Sequence, residues 1–378
     1  MPDRIAVLGT GAIGAMTTWR LALRGAEVLA FDTSSPGHDR GASAGESRIF
    51  RTLYKEGAAY VPLLHRSQVL WRELERSADL ALLDLCGGLT IGAPEHPDVE
   101  AVLHCAREHG LPHELLDTGQ ARKRFPQHRL DEGEIAVVDP EAGLLRPEPA
   151  VQTALRAAEH AGARVLPYHH VRTATETASG WRITGGDTTF DVDHVVFAPG
   201  PWAPQLEPLQ ALPVRAEQIT ACWFPVRDIA AHRPDRLPVA IRRHREAGFS
   251  FYPVLDGVSI KLIPHRERPA LQRPEDLPRM VGADFARAAS ETVERLLPDV
   301  RPHPIRIATY AEGFTPDEHA LVGPLPGRAR ATVLTGFCGH GFKMAPAFGD
   351  IGADLALNGT TDHDISWLDP TRFTAAGP

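Results

Sequence analysis

Residues 4–32 read RIAVLGTGAIGAMTTWRLALRGAEVLAFD, and no other stretch limits the possible folds of this chain as much. The apolar run 4–9 has the length and composition of a buried strand. Three glycines follow in GxGxxG spacing, Gly9, Gly11 and Gly14, with Ile13 between the last two. A helical pattern, AMTTWRLALR, runs up to Gly25, and a second strand, AEVLAFD, ends on Asp32. Strand, glycine turn, helix and strand in this order predict the start of a doubly wound α/β sheet of the Rossmann-like kind. Gly9 permits the tight turn, Gly11 lets backbone N–H groups approach a pyrophosphate, and Gly14 lets the helix pack on the strand. The helix N-terminus offers unpaired N–H groups and the positive end of its dipole to phosphates. Asp32, 18 residues past Gly14, is placed to accept hydrogen bonds from ribose hydroxyls. The pattern predicts a dinucleotide site. The acid disfavours a 2′-phosphate, hence NADP, and leaves FAD and NAD both open.

A chain of 378 residues suggests two domains, and 43% hydrophobic residues suffice for a large core. The net charge of −8 argues against nucleic-acid binding, which needs a basic face. The 18 histidines include no HxH or HExxH pair, so no metal site is expected. No apolar run reaches the roughly 20 residues of a membrane span. MPDRIAVLG enters a strand too early for a signal peptide, and Cys86, Cys105, Cys222 and Cys338 lack CxxC spacing. These features predict free thiols and a cytoplasmic protein.

Lysine is scarce: of 40 Lys plus Arg, only Lys55, Lys123, Lys261 and Lys343 are lysine. Lys261 lies in the apolar strand IKLIPH, and Lys343 closes the glycine-rich turn GFCGHGFK. A compact ammonium differs from a guanidinium in hydration and in how readily its pKa shifts, so both positions are site candidates. Between them, three further elements favour FAD over NAD. The loop GASAGESRIFR (41–51) carries Ser43, Arg48 and Arg51; DVDHVVFAPGPW ends a buried strand at Gly200 and Trp202; and GFCGHGFK supplies Gly339 and Gly341 before a helix. Glycine turns at 9–14, 200 and 336–341 suit a long cofactor threaded through distant segments, with Val171 among its contacts.

With these motifs the chain resembles the monomeric sarcosine oxidase and N-methyl amino acid oxidase family, within the D-amino-acid-oxidase-like flavoproteins. The markers are GTGAIG with Asp32, SRIFRTLY, FAPGPW, the FYP…IKLIPH strands, PDEHALVGPLP and FCGHGFK, spread over nearly the full length. The resemblance implies an FAD domain and a second domain whose mixed sheet roofs the flavin. It implies oxidation of a C–N bond in a secondary amino acid, with molecular oxygen reduced to hydrogen peroxide. By the same resemblance, Arg51 and Lys343 hold the substrate carboxylate, Lys261 serves the oxygen reaction, and Arg48 lies against the flavin. His265 stands near the substrate amine and Tyr310 forms an aromatic wall; a satisfied core role for His265 stays open.

Four positions depart from the family pattern: Ala308 where a cysteine usually tethers FAD, Ala44 for a histidine, Phe249 for a tyrosine over the substrate, and Cys338 for a serine. Ala308 predicts non-covalent FAD, with Cys338 and His340 the remaining tether candidates. The lost histidine and tyrosine hydroxyl predict a less polar pocket and a larger or more apolar substrate than sarcosine. The expected FAD domain comprises 1–85, 145–215 and 320–378, and the substrate domain 86–144 and 216–319. Strands are expected around 219–226, 238–242, 249–253 and 258–263, and outer helices in HCAREHGLPHELLD, around TGQARKRFP and in DFARAASETVERLLPD. Two other readings remain: an NAD-linked dehydrogenase, and a catalytically silent flavoprotein serving a biosynthetic partner.

Overall fold

The computed structural model describes residues 3–373; residues 1–2 and 374–378, at the outer ends of the expected FAD segments, lie outside the described residues. The protein has a mixed α/β fold. Its first sheet runs in the order 321–324, 331–335, 194–197, 4–8, 27–31, 164–166, parallel except for the edge strand 321–324. The strands ending before Gly9, Pro199–Gly200 and Gly336 are adjacent and parallel, so segments nearly 330 residues apart in sequence deliver their turns to one edge. Gly9 has φ +97°, and a Cβ there would stand 2.3 Å from the Ala198 carbonyl oxygen; one on Gly14 would stand 1.8 Å from that of Gly9. No side chain fits either place.

One face of this sheet is covered by helices Ala12–Leu23, Val61–Ala78, Pro147–His160 and Ala345–Asn358, which share its core. The other face packs on a three-stranded sheet, 171–176, 181–185 and 188–192. The main second sheet is mixed, running 270–271, 215–225, 259–265, 248–252, 239–242, 88–92, 135–139, 114–116, with 306–314 also paired to 215–225. Its far face buries Phe249, Phe251, Cys222 and Phe224 against helix Ala283–Leu296. Its near face, carrying Tyr252, Lys261, Ile263 and Trp223, looks toward the loop 41–50. Strand alternation thus decides which residues can reach a site.

The segment HCAREHGLPHELLD is not one helix. Helix Pro97–Glu108 ends, and Glu114–Leu116 forms an edge strand instead. Pro112 between them has no amide donor for a continuing helix. Among the described residues no helix is long and apolar enough to cross a membrane, and no group of metal-ligating side chains is found.

Candidate active site

A cavity of about 420 Å³ follows the sheet edge from Asp32 to Phe342. Gly9, Gly11, Ile13, Asp32, Ser43, Arg48, Val171, Gly200, Trp202, Gly339 and Gly341 line it. Gly14 lies beneath the turn, and Lys343 sits behind the wall beside Phe342. The lining fits a dinucleotide. Helix Ala12–Leu23 has no acidic residue in its first turn and no capping side chain, and Gly11–Ile13 face the cavity. Its dipole is therefore available to phosphate, together with the first-turn N–H groups that remain once Ser43 Oγ has taken the Ala12 amide. Asp32 is fixed at the other end: its carboxylate accepts from the Thr10 amide and hydroxyl at 2.8 and 2.9 Å, and from the Ser34 amide at 2.9 Å.

The loop 41–50 is held by hydrogen bonds from several elements. Glu148 accepts from the Gly45 and Glu46 amides at 2.7 and 3.0 Å, and Ser43 Oγ accepts from the Ala12 amide at 2.9 Å. Arg48 donates to the carbonyls of Ser47 and Ala42. Lys261 Nζ donates to the carbonyls of Gly45 (2.8 Å) and Ser47 (2.7 Å), and lies 3.9 Å from the Tyr252 ring centroid. Burial, with Arg48 adding repulsion, holds the Lys261 ammonium well below its ordinary pKa. Tyr310 packs beside Ala44, Trp223 and Ala308 on this same side.

Arg51 and Lys343 meet at Tyr54, each 5.1 Å from its ring centroid. Both are buried, at 8% and 7% exposure. Arg51 Nη2 donates to both Glu56 oxygens at 2.7 and 2.8 Å, while Nη1 is buried with no partner. Burial alone would raise the Glu56 carboxyl, but Arg51 and Lys55 hold it below the usual carboxylate range. Lys343 Nζ donates to the His340 carbonyl (2.9 Å) and weakly to the Tyr54 hydroxyl (3.4 Å). Burial and the nearby Arg51 draw its pKa down to about 7. Burial, with Lys343 nearby, lowers the His340 pKa to about 4, so its ring is neutral. Its Nε2–H donates to the Glu318 carbonyl (3.0 Å), so Nδ1 accepts from the Tyr54 hydroxyl at 2.9 Å. A hollow of about 10 Å³ touches Arg51 on its Leu53, Leu89 and Asp139 side, while Glu56 holds the guanidinium.

His265 also faces this side. Arg243 Nη1 contacts its Nδ1 at 2.6 Å and can only donate, so Nε2 carries the proton and donates to Ser250 Oγ at 2.9 Å. Burial and Arg243 push the His265 pKa down to about 3, leaving it neutral at ordinary pH. Phe249 requires a correction. Its ring is fully buried in the core behind the sheet, with Phe251 and Leu262. Alternation puts Ser250 and Tyr252 on the site face instead, so Phe249 does not touch substrate.

Cys338 is half-buried, donates to the Gly336 carbonyl (3.0 Å), and has a thiol pushed up to about 11 by desolvation. Sequence reading missed Tyr54, Glu56, Arg243, Ser250 and Glu312. Glu312 lines the main cavity and accepts from the Gly339 amide at 2.8 Å; burial raises its carboxyl. The available signal was parity: Val239, Ile241 and Arg243 alternate onto one face, as do Ala308, Tyr310 and Glu312.

The sequence model of the DAO family, FAD-dependent oxidoreductases, matches residues 4–355. The chain is 36% identical over 378 residues to monomeric sarcosine oxidase from Streptomyces avermitilis, spanning 98% of both proteins. It is 29% identical over 375 residues to N-methyl-L-tryptophan oxidase from Salmonella dublin, spanning 97% of this chain and 98% of that one. In fold it is similar to NikD, an unusual amino acid oxidase essential for nikkomycin biosynthesis, with a TM-score of 0.86 at 23% identity, covering 97% and 98% of the two chains.

Proposed function

This chain belongs to the DAO family of FAD-dependent oxidoreductases, and we propose that it oxidises the C–N bond of a secondary amino acid, N-methyl or cyclic, to an imine. The family settles flavin rather than nicotinamide as the cofactor. The observation that carries the proposal is the pairing of a buried, unpartnered Arg51 Nη1 with the Lys343 ammonium around one tyrosine. Such a pair recognises a carboxylate bidentately in a site screened from water. Removal of two electrons and two protons from CH–NH leaves C=N, and the same electrons and protons convert oxygen to hydrogen peroxide. Bound FAD supplies the two-electron acceptor between these half-reactions.

In this reading Glu56 releases Arg51 when the substrate carboxylate arrives. Ser250 and Tyr252 border the reacting carbon. His265, whose Nδ1 is engaged by Arg243, orients the amine as a neutral ring and does not take its proton. Arg48, Tyr310 and Lys261 stand on the flavin side. The proposal includes a division into an FAD domain (1–85, 145–215, 320–378) and a substrate domain (86–144, 216–319), and a cytoplasmic setting consistent with four free cysteines.

The test is anaerobic titration of the yellow protein with N-methyl, cyclic and primary amino acids. Bleaching by secondary amino acids is expected. No bleaching by any of them makes the protein a silent flavin binder and removes the proposal. We also expect FAD to be held non-covalently. Ala308 has no nucleophilic atom, and the Cys338 thiol is disfavoured as a thiolate. After acid precipitation the yellow colour should therefore stay in the supernatant; a fluorescent protein band in denaturing electrophoresis would contradict this.

A further inference from the structure

We propose that Glu312 receives the protonated nitrogen of the substrate, so that the amino acid is taken up as a zwitterion; this rests on the reading of Arg51 and Lys343 as its carboxylate clamp. An alkylammonium has a pKa near that of lysine, roughly 10, so the substrate arrives charged at both ends. A buried ammonium needs an anion beside it. Three acidic side chains line the cofactor cavity: Asp32, Glu275 and Glu312. Asp32 is committed to the Thr10 and Ser34 amides at one end. Glu275 accepts from Trp202 Nε1 at 2.5 Å and from Gln205 Nε2 at 2.8 Å. The carboxylates around the site are engaged as well: Glu56 with Arg51, Asp98 with Arg243, Glu148 with the Gly45 and Glu46 amides, Asp139 with those of Thr52 and Leu53, and Glu46 with Trp223 and Arg306. Glu312 differs. Its Oε1 accepts from the Gly339 amide at 2.8 Å, while Oε2 has no hydrogen-bond partner and the side chain enters no ion pair among the described residues.

The place of this carboxylate suits an amine. Strand alternation sets Glu312 on the same face as Ala308 and Tyr310. Gly339, which orients it, belongs to the turn whose Gly341 and Phe342 line the same cavity and whose His340 carbonyl holds Lys343. The groups facing Glu312 are Arg48, Lys343, Arg268 and Tyr252. Arg48 donates to the Ser47 and Ala42 carbonyls, and Arg268 pairs with Glu217 and Glu318. Glu217, opposite Glu312 on the neighbouring strand, is paired with Arg215 and Arg268. Burial accordingly raises the Glu312 carboxyl against these more distant cations. FAD, with its anionic diphosphate, brings no cation to it, whereas the substrate does. One carbon separates nitrogen from carboxyl in an α-amino acid, so a carboxylate held at Lys343 keeps its ammonium beside the turn that orients Glu312. The substrate class is a carboxylate with a basic nitrogen, and N-acyl analogues are excluded.

The test uses oxidised holoenzyme and flavin-spectral titration with two carboxylates of matched shape, 2-aminoisobutyrate and 2,2-dimethylpropanoate. They differ only by an ammonium in place of a methyl, and neither has a hydrogen on a carbon bonded to nitrogen, so neither can be oxidised. The amino acid should bind about tenfold or more tightly, the scale of one charge-assisted contact. Glu312→Gln should erase that preference while leaving 2,2-dimethylpropanoate within about threefold. The glutamine still accepts from the Gly339 amide, so the turn keeps its support. Equal binding of the two ligands by the parent protein, or a preference that survives Glu312→Gln, overturns the proposal. Equal weakening of both ligands means that Glu312 only supports the turn carrying Lys343, and also overturns it. If the parent protein binds neither ligand, the carboxylate clamp itself falls and the proposal with it; binding of both without discrimination removes Glu312 alone.

Discussion

A Lys261→Met variant should reoxidise its flavin with oxygen about 10²–10³-fold more slowly than the parent protein, while anaerobic reduction by substrate changes little. The side chain is 3% exposed and aimed at the loop that borders the cofactor cavity. A preorganised ammonium stabilises the negative charge that develops on oxygen as electrons arrive, and no solvent reorganisation is needed there. Its depressed pKa is compatible with this role. Burial lowers it in the free protein, and an anionic neighbour raises it again. The pH sign follows: the oxygen step is fast while the amine is protonated and declines as pH rises through its pKa. Stopped-flow measurement of the two half-reactions decides the matter. Equal slowing of both would mean that Lys261 acts by holding the Gly45 and Ser47 carbonyls, and not on oxygen.

Arg51→Ala should weaken small carboxylates on the oxidised enzyme by about 10- to 100-fold, corresponding to about 1.5–3 kcal/mol for a charge-assisted hydrogen bond. Unchanged carboxylate affinity in that variant would remove Arg51 from the site. The same clamp predicts a pH dependence in the parent protein. Lys343 has a pKa near 7 before ligand binds, and a bound carboxylate favours its charged form. Affinity should be level below pH 7 and fall as pH rises beyond it, by up to about tenfold per unit. Proton uptake on binding at pH 8, measured calorimetrically in buffers of different ionisation enthalpy, checks the sign; proton release would contradict it.

The cofactor end of the molecule was legible in the sequence because its chemistry is local. Gly9, Gly11 and Gly14 act within one turn, and Asp32 ends the next strand, so spacing alone carries the geometry. The scarcity of lysine pointed to Lys261 and Lys343, both buried in the structure. The substrate end was far less legible. The family resemblance sets Phe249 at a tyrosine over the substrate, yet a strand reverses sides at every residue, and Ser250 and Tyr252 lie on the opposite face from Phe249. Arg243 reads in RRHRE as one more exposed charge; only the sheet shows that Arg242 points to the core and Arg243 to His265.

What the sequence determined by itself is the nucleotide-binding unit and, through its motifs, the family. What only the tertiary structure decided is which charges meet. Arg51, Tyr54, Arg243, His265 and Lys343 come from four separate stretches of chain, and folding gathers them into two contact groups, Arg51–Tyr54–Lys343 and Arg243–His265, linked through Glu56, Lys55 and Asp98. A local pattern can specify a turn because its few residues share a backbone path. A cluster of charges from distant segments depends on registers and packing that no single segment encodes.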